Sequence, residues 1–228
     1  MNKKILATLL VVVIAVAAVS VYVLLSHQPS DAAGALTVRW ENINGAKISG
    51  VTLTILGPQE TMKTGVTDQN GEVTFTGLPP GNYEGIATKD GYQVIFISAI
   101  VNNAKTTTLN SGINQEQPYH VQVSVNTKAA TIGQSDTATI AVSLASTDNS
   151  AGTFTLSYTD AEGTGALPSG VTATFDPSTV TLTAGGQAAS TLTLSASSTA
   201  PRGIYKIGVT ISDQYSPLGY GWLLLQVS

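Results

Sequence analysis

The stretch TDQNGE, residues 67–72, contains the residue types of a small cation site. Asp68 and Asn70 place side-chain oxygens on alternate residues, as the start of a calcium-binding loop does, and Gly71 follows. An EF-hand loop also needs a glutamate at its twelfth position, which counted from Asp68 is Pro79. Asp and Asn side chains also bond nearby backbone amides, and glycine tolerates a positive φ angle. The stretch therefore predicts a tight turn between strands rather than a calcium site.

Other residue types that perform chemistry are scarce. The chain has no cysteine, and its two histidines, His27 and His120, are far apart in the sequence. A zinc site usually takes three or four nitrogen or sulfur ligands, so we expect both histidines to be solvated. Asp160 and Glu162, in a glycine-rich stretch, supply too few oxygens for calcium. The sequence predicts no catalytic residue, no cofactor and no metal.

Aromatic side chains are the remaining candidates for ligand contact. They stack on ligands when exposed and fill the core when buried, and in small sandwiches we expect burial. A carbohydrate-binding surface stays open as an alternative, with Trp40 and Trp222 as the residues to test. The aromatic candidates are Trp40, Tyr83, Tyr92, Tyr119, Tyr215, Tyr220 and Trp222.

The overall charge argues against a nucleic-acid partner. Only 11% of the residues are Asp, Glu, Lys or Arg, and the formal net charge is −4. In soluble proteins, about a quarter of all residues are usually charged. Because the basic residues are scattered, the chain offers no cationic surface for a phosphate backbone.

The first 35 residues predict a membrane anchor followed by a polar spacer. After Lys3 and Lys4 the sequence is uncharged over residues 5–25, and a helix of that length spans roughly 30 Å, the thickness of the hydrocarbon layer. The lysines favour a cytoplasmic N-terminus with the rest of the chain outside. A cleaved signal is the alternative, because Ser30-Asp31-Ala32 and Ala33-Gly34-Ala35 resemble cleavage sites. Cleavage would release a secreted protein.

From residue 36 onward the hydrophobic pattern has a period of two. Val51, Leu53 and Ile55 alternate with threonines, as half-buried strands require, and turn-rich segments interrupt the pattern about every ten residues. The pattern predicts an all-β chain of two antiparallel β-sandwiches in series. They occupy residues 36–111 and 119–228, and the linker 112–118 ends in Pro118.

The first module resembles the transthyretin-like carboxypeptidase-regulatory and collagen-binding-B families of surface domains. The stretches that carry the resemblance are NGAKISGVTLTI and TGVTDQNGEVTFTGLPPGNYEGIATKDGY. Many collagen-binding-B relatives form a Lys–Asn isopeptide crosslink with the help of a buried acid. Here Arg39 stands near the lysine position and the position of the acid falls near Ala87. Since a guanidinium cannot serve as the amine nucleophile, we expect no crosslink.

The second module resembles immunoglobulin-like accessory domains of secreted glycosidases and envelope proteins. The stretch that carries this resemblance is LPSGVTATFDPSTVTLTAGGQAASTLTLSASSTAPRGIYKIGVTISD. Its elements are turns and core alternation, so the resemblance implies a sandwich and leaves the ligand open.

These observations favour a non-enzymatic protein of the cell envelope. We expect it to be anchored in the lipid bilayer through residues 5–25 and to dock to copies of itself or to other envelope proteins. One alternative is a cleaved, secreted filament subunit in which LTVRW, residues 36–40, adds to a neighbour's sheet edge. Another is a carbohydrate-binding accessory protein. An enzyme that uses His120 or the acidic residues is a further alternative.

Overall fold

The period-two segments form sixteen β-strands in a computed structural model. It describes residues 32–42, 44–113, 120–147, 149, 151–160, 166–212 and 217–228. For residues 217–219 it describes the backbone only. Within these ranges no helix is long and apolar enough to cross a membrane. The predictions that lie outside the described residues are the anchor over 5–25, His27, Pro118, Tyr119, Glu162 and Tyr215.

The first sandwich consists of two sheets with the strand orders β4-β1-β7 and β3-β2-β5-β6. Leu36, Val38 and Trp40 extend from β1 into a core that they share with Leu53 and Ile55 of β2. The strands are β1 Gly34–Glu41, β2 Thr52–Leu56, β3 Met62–Val66, β4 Glu72–Leu78, β5 Gly81–Thr88, β6 Ile95–Val101 and β7 Thr106–Gly112.

The second sandwich has the strand orders β12-β14-β10-β8 and β13-β11-β15-β16-β9. Val121, Val123 and Val125 of β8 are buried in its core, as their alternation predicts. The strands are β8 Val121–Val125, β9 Ala129–Ile132, β10 Thr137–Ser146, β11 Gly152–Asp160, β12 Val171–Asp176, β13 Thr179–Leu182, β14 Gln187–Ala196, β15 Gly203–Ser212 and β16 Pro217–Val227.

The end of the first sandwich lies slightly beyond residue 111. Strand β7 extends to Gly112, and the next residue, Ile113, is fully buried in the first core. The residues between 113 and 120 are not described, so the linker stays a prediction.

The prediction that both sandwiches are antiparallel needs a correction. Strand β1 pairs with β7 in parallel, and β16 pairs with β9 in parallel. Each pair joins strands that are far apart in the sequence, and such a separation leaves room for the crossover connection that parallel pairing requires. The other strand pairs among the described residues are antiparallel.

Both sandwiches contain the same tyrosine corner. In the sequence PPGNY, the hydroxyl of Tyr83 donates a 2.9 Å hydrogen bond to the carbonyl oxygen of Pro79. In PRGIY, the hydroxyl of Tyr205 donates a 2.9 Å hydrogen bond to the carbonyl oxygen of Pro201. A tyrosine that bonds backbone a few residues upstream is a known feature of immunoglobulin-like sandwiches. The pattern Pro-x-Gly-x-Tyr therefore marks the entry to strand β5 and to strand β15.

The outer faces of two sheets pack against each other and join the sandwiches. Leu56 of β2 and Ile86 of β5 form a buried cluster with Ala129 of β9 and Leu224 of β16. At its margin, Lys206 lies 3.2 Å from a carboxylate oxygen of Glu84. The expectation that β2 is half-buried is therefore wrong, because the second sandwich covers its outer face.

Candidate functional site

Asp68 forms the predicted turn between β3 and β4. Its Oδ1 atom accepts hydrogen bonds from the backbone amides of Asn70 at 2.8 Å and Glu72 at 2.9 Å, and Gly71 has a φ angle of 72°. The bond from the Glu72 amide is the main cause that lowers the pKa of Asp68 below its ordinary value. The carboxylate therefore serves the backbone of the turn, and the absence of calcium stays a prediction.

The other polar candidates do not come together. His120 is exposed just before β8, and within the described residues no three His, Asp or Glu side chains are close enough to hold a metal ion. Arg39, at the position of the crosslinking lysine, donates from Nε to Glu72 at 2.6 Å. This ion pair explains the arginine without any crosslink chemistry.

Trp40 does not lie on a ligand surface. Its side chain has no exposed area and belongs to the first core, so the expected burial is confirmed for Trp40 and the alternative that it contacts a carbohydrate is wrong. The parity of β1 explains the burial, because Leu36, Val38 and Trp40 are at every second position and therefore lie on the same face of the strand. Tyr83 is buried in the same core, and burial raises the pKa of its hydroxyl.

Three of the aromatic candidates surround a cleft between the sandwiches. Tyr92 contributes from the turn between β5 and β6, and Tyr220 and Trp222 contribute from β16. All three side chains are partly exposed. The cleft has a volume of about 500 Å³, which lies within the range of about 300–1,000 Å³ that is typical of small-molecule sites.

The two aromatic rings of β16 stack on each other with nearly parallel planes. The ring planes of Tyr220 and Trp222 differ by 9°, and their centroids are 6.2 Å apart. Phe96 meets Trp222 edge-on at 5.4 Å and fixes the ring from the side of the first sandwich. A Cβ atom on Gly208 would lie 2.8 Å from the Trp222 ring, so glycine at this position lets the indole lie against the sheet.

Charged and polar groups line the rest of the cleft. Lys89 lies with its Nζ atom 5.6 Å from the centroid of the Tyr92 ring. Lys128 is half-buried, and burial lowers the pKa of its ammonium group while nearby Asp90 partly offsets the effect. In the part of the chain that the structure describes, Lys128 forms no ion pair. Gln122 adds an amide side chain to the same lining.

Sequence reasoning missed both lysines and Gln122. The lining comes from segments that begin at Thr88 and end at Trp222, and no local pattern links them. The sequence signal was limited to Tyr92, Tyr220 and Trp222, which were among the aromatic candidates for ligand contact. The cleft exists because the two sandwiches pack face to face.

The first sandwich matches the model of a known protein family. Residues 36–114 match the family model of the carboxypeptidase regulatory-like domain, so the resemblance inferred from the quoted motifs is confirmed. This match covers about a third of the chain. A search of curated proteins by sequence finds no match.

Several solved structures are similar over parts of the chain. BcpA, the major pilin subunit of Bacillus cereus, is 13% identical with a TM-score of 0.35, over 86% of this chain and 69% of that chain. Domains 4 and 5 of the S-layer protein SbsC are 14% identical with a TM-score of 0.32, and the similarity covers 83% of this chain and 78% of that chain. The 3-chlorocatechol 1,2-dioxygenase of Rhodococcus opacus is 12% identical with a TM-score of 0.32, and the similarity covers 40% of this chain and 62% of that chain.

Proposed function

We propose that the protein is a non-enzymatic structural or interaction protein of the cell envelope. Residues 5–25 hold it in the lipid bilayer, and the two sandwiches face outward and dock to copies of the chain or to other envelope proteins. The apolar run of these residues is long enough to span the hydrocarbon layer. The proposal adds that this segment stays attached to the mature chain.

The observation that carries the proposal is the packing of one sandwich on the other. Leu56, Ile86 and Leu224 are fully buried between the two outer sheets. Two modules joined only by a flexible linker would move independently, whereas a buried apolar contact holds them in one orientation. A rigid pair of sandwiches presents a fixed surface to its partners, which suits assembly in an envelope.

The outward-facing residues of strand β3 supply a surface for docking. Met62 is 55% exposed and Val66 is 57% exposed, and both extend from the same face of this edge strand. Ile100 of β6, at the opposite edge of that sheet, is 61% exposed. Exposed apolar side chains near a sheet edge favour contact with another protein surface.

The alternative of strand addition receives less support. Strand β1, which contains LTVRW, is the central strand of its sheet and pairs with β4 and β7 within the chain. Donating it to a neighbour would expose Leu36, Val38 and Trp40. Lys63 of edge strand β3 bonds the carbonyl oxygen of Thr76 in β4, and a lysine turned inward discourages a further strand at that edge.

Cysteine labelling in intact cells tests the proposal, because the natural chain has no cysteine. We expect Val66→Cys to react with a membrane-impermeant maleimide in intact cells, and Lys4→Cys to react only after the cells are permeabilised. A bismaleimide crosslinker should then capture Val66→Cys in complexes with a second copy or another envelope protein.

The two variants control for each other, since each carries a single thiol. Protection of Val66→Cys in intact cells would contradict an outward-facing domain. Loss of the Lys4→Cys label from the mature chain would contradict a retained anchor.

A further inference from the structure

We propose that the cleft between the sandwiches binds a sugar residue that carries one anionic group, with its ring against Tyr220 and Trp222 and the anion at Lys128. The inference goes beyond the proposed function, because it assigns a ligand class to a site within the outward-facing domain. It does not depend on how the chain is anchored.

The aromatic surface suits the apolar face of a pyranose ring. The stacked rings of Tyr220 and Trp222 are parallel to within 9°, and both line the cleft. Phe96 packs on Trp222 from the buried side, so the ring is held in place before a ligand arrives. Rigid aromatic side chains supply contact area at a low cost in conformational entropy.

The charges of the cleft favour an anion over a neutral ligand. Lys89 and Lys128 both line it, and Asp90 is the one acidic residue among those of its lining residues that the structure describes. Lys128 is half-buried without an ion pair among the described residues. An ammonium group that has lost water gains from a nearby anion, because the attraction is stronger where solvent is partly excluded.

The polar lining suits hydroxyl groups. The exposed side chains of Gln122 and Ser124 extend from β8 into the cleft. An amide both donates and accepts hydrogen bonds, and a serine hydroxyl does the same, as sugar hydroxyls require. An acidic peptide would satisfy the lysines but would leave the aromatic rings that line the cleft without a matching partner. The combination therefore favours a sugar.

The anion can be a carboxylate, as in a uronic acid, or a phosphate ester, since both pair with lysine. Matched sugars that differ only at carbon 6 separate these sources. D-glucuronate, D-glucose 6-phosphate and D-glucose form one series, and the corresponding galactose compounds form a second. A tripeptide of glutamate is the control for an acidic peptide.

Binding is measured with the full-length chain by titration of tryptophan fluorescence and by calorimetry. The chain has two tryptophans, and Trp40 is enclosed in the first core, so a change in emission reports on Trp222. We expect at least one anionic sugar to bind at millimolar concentration and its neutral counterpart to bind at least tenfold more weakly.

Two cleft variants and one control complete the test. Lys128→Met should weaken binding of the anionic sugar at least tenfold while retaining the apolar stem of the side chain. Tyr220→Ser should weaken it as well, without the change in core packing that a substitution of Trp222 would bring. Lys105→Met, which removes an exposed lysine outside the cleft, should leave binding unchanged.

The results that would overturn the proposal are equally specific. The proposal is overturned if the folded protein binds no anionic sugar, or if it binds the neutral and anionic members of a series equally well. It is also overturned if the tripeptide binds as tightly as the sugars. Unchanged binding by a folded Lys128→Met variant would also overturn it. These binding results are independent of cysteine labelling in cells. A failure of the sugar-binding proposal therefore does not contradict the proposed envelope function.

Discussion

The side-chain amide of Gln226 donates a 3.1 Å hydrogen bond to the carbonyl oxygen of Gly57 and so connects the last strand to the turn after β2. Gln226 is only 9% exposed, although its side chain is polar. A buried amide contributes to stability only when it is bonded, and removing one partner leaves the other unsatisfied. The bond therefore fixes the relative position of the two sandwiches at the edge of their apolar contact.

Gln226→Leu should destabilise the protein by about 1–3 kcal/mol, because the carbonyl oxygen of Gly57 loses its partner within a contact that excludes water. The measurement is the free energy of unfolding from chemical denaturation. Gln187→Leu, at an exposed position of β14, is the matched control and should change it by less than about 0.5 kcal/mol. Equal effects of the two substitutions would show that the bond has no role in stability.

Each of the two tyrosine corners should contribute to the free energy of unfolding. Tyr83→Phe and Tyr205→Phe each remove one hydroxyl that donates to a proline carbonyl four residues earlier, and each should cost about 0.5–1.5 kcal/mol. Tyr83→Phe should cost more, since Tyr83 is buried and Tyr205 is partly exposed. Denaturation of both single variants measures this. Tyr92→Phe is the control, and a cost as large as that of Tyr83→Phe would refute a specific role for the corner.

The turn at Asp68 should make stability depend on acid pH. Because the folded-state pKa of Asp68 is lowered, the ionised carboxylate stabilises the fold above its ordinary pKa of 3.8. This contribution is lost as the pH falls from 3.8 through the lowered value. Asp68→Asn keeps an acceptor oxygen but has no charge. The difference in melting temperature between the natural chain and Asp68→Asn should stay constant from pH 5 to 8 and shrink below about pH 3.8. A difference that is independent of pH would contradict this account of the turn.

Lys128 should make the stability depend on pH in the alkaline range. Its folded-state pKa is lowered from 10.5, chiefly because burial penalises the charged ammonium. Between the lowered pKa and 10.5 the unfolded chain binds more protons, so the stability contribution rises with pH. Lys128→Met removes the buried charge. Its melting temperature should exceed that of the natural chain most clearly below the lowered pKa, and this advantage should shrink as the pH approaches 10.5.

The same alkaline titration carries its own control. Lys89, Asp90, Tyr92 and Tyr220 also line the cleft, and they remain in both proteins, so their direct contributions largely cancel in the difference. An advantage of Lys128→Met that grows with pH would contradict the assignment of a desolvated ammonium.

Local patterns predicted much of each sandwich. The alternation of Val121, Val123 and Val125 placed β8 correctly, and Asp68 with Gly71 predicted the turn before β4. These signals succeed because strand parity and turn chemistry act over a few residues. The burial of Trp40 agrees with the expectation for aromatic residues, and strand parity gives the local reason, since Trp40 lies on the same face of β1 as Leu36 and Val38.

The contact between the sandwiches could not be predicted from such patterns. Leu56 is buried against Leu224, which follows much later in the chain, and nothing near Leu56 in the sequence indicates a second covering layer. The cleft has the same origin. Lys128 occupies an ordinary turn between β8 and β9, and only the packing of the first sandwich beside it makes its ammonium group half-buried.

The central functional claim is that the apolar leading segment stays on a chain whose two sandwiches face outward. Intact-mass measurement of the protein isolated from its native cells tests it most directly. The account predicts a membrane-fraction protein close to the full 23.4 kDa of the chain, with residues 5–25 present. A shorter protein in the culture medium whose first residue lies near Leu36 would contradict it.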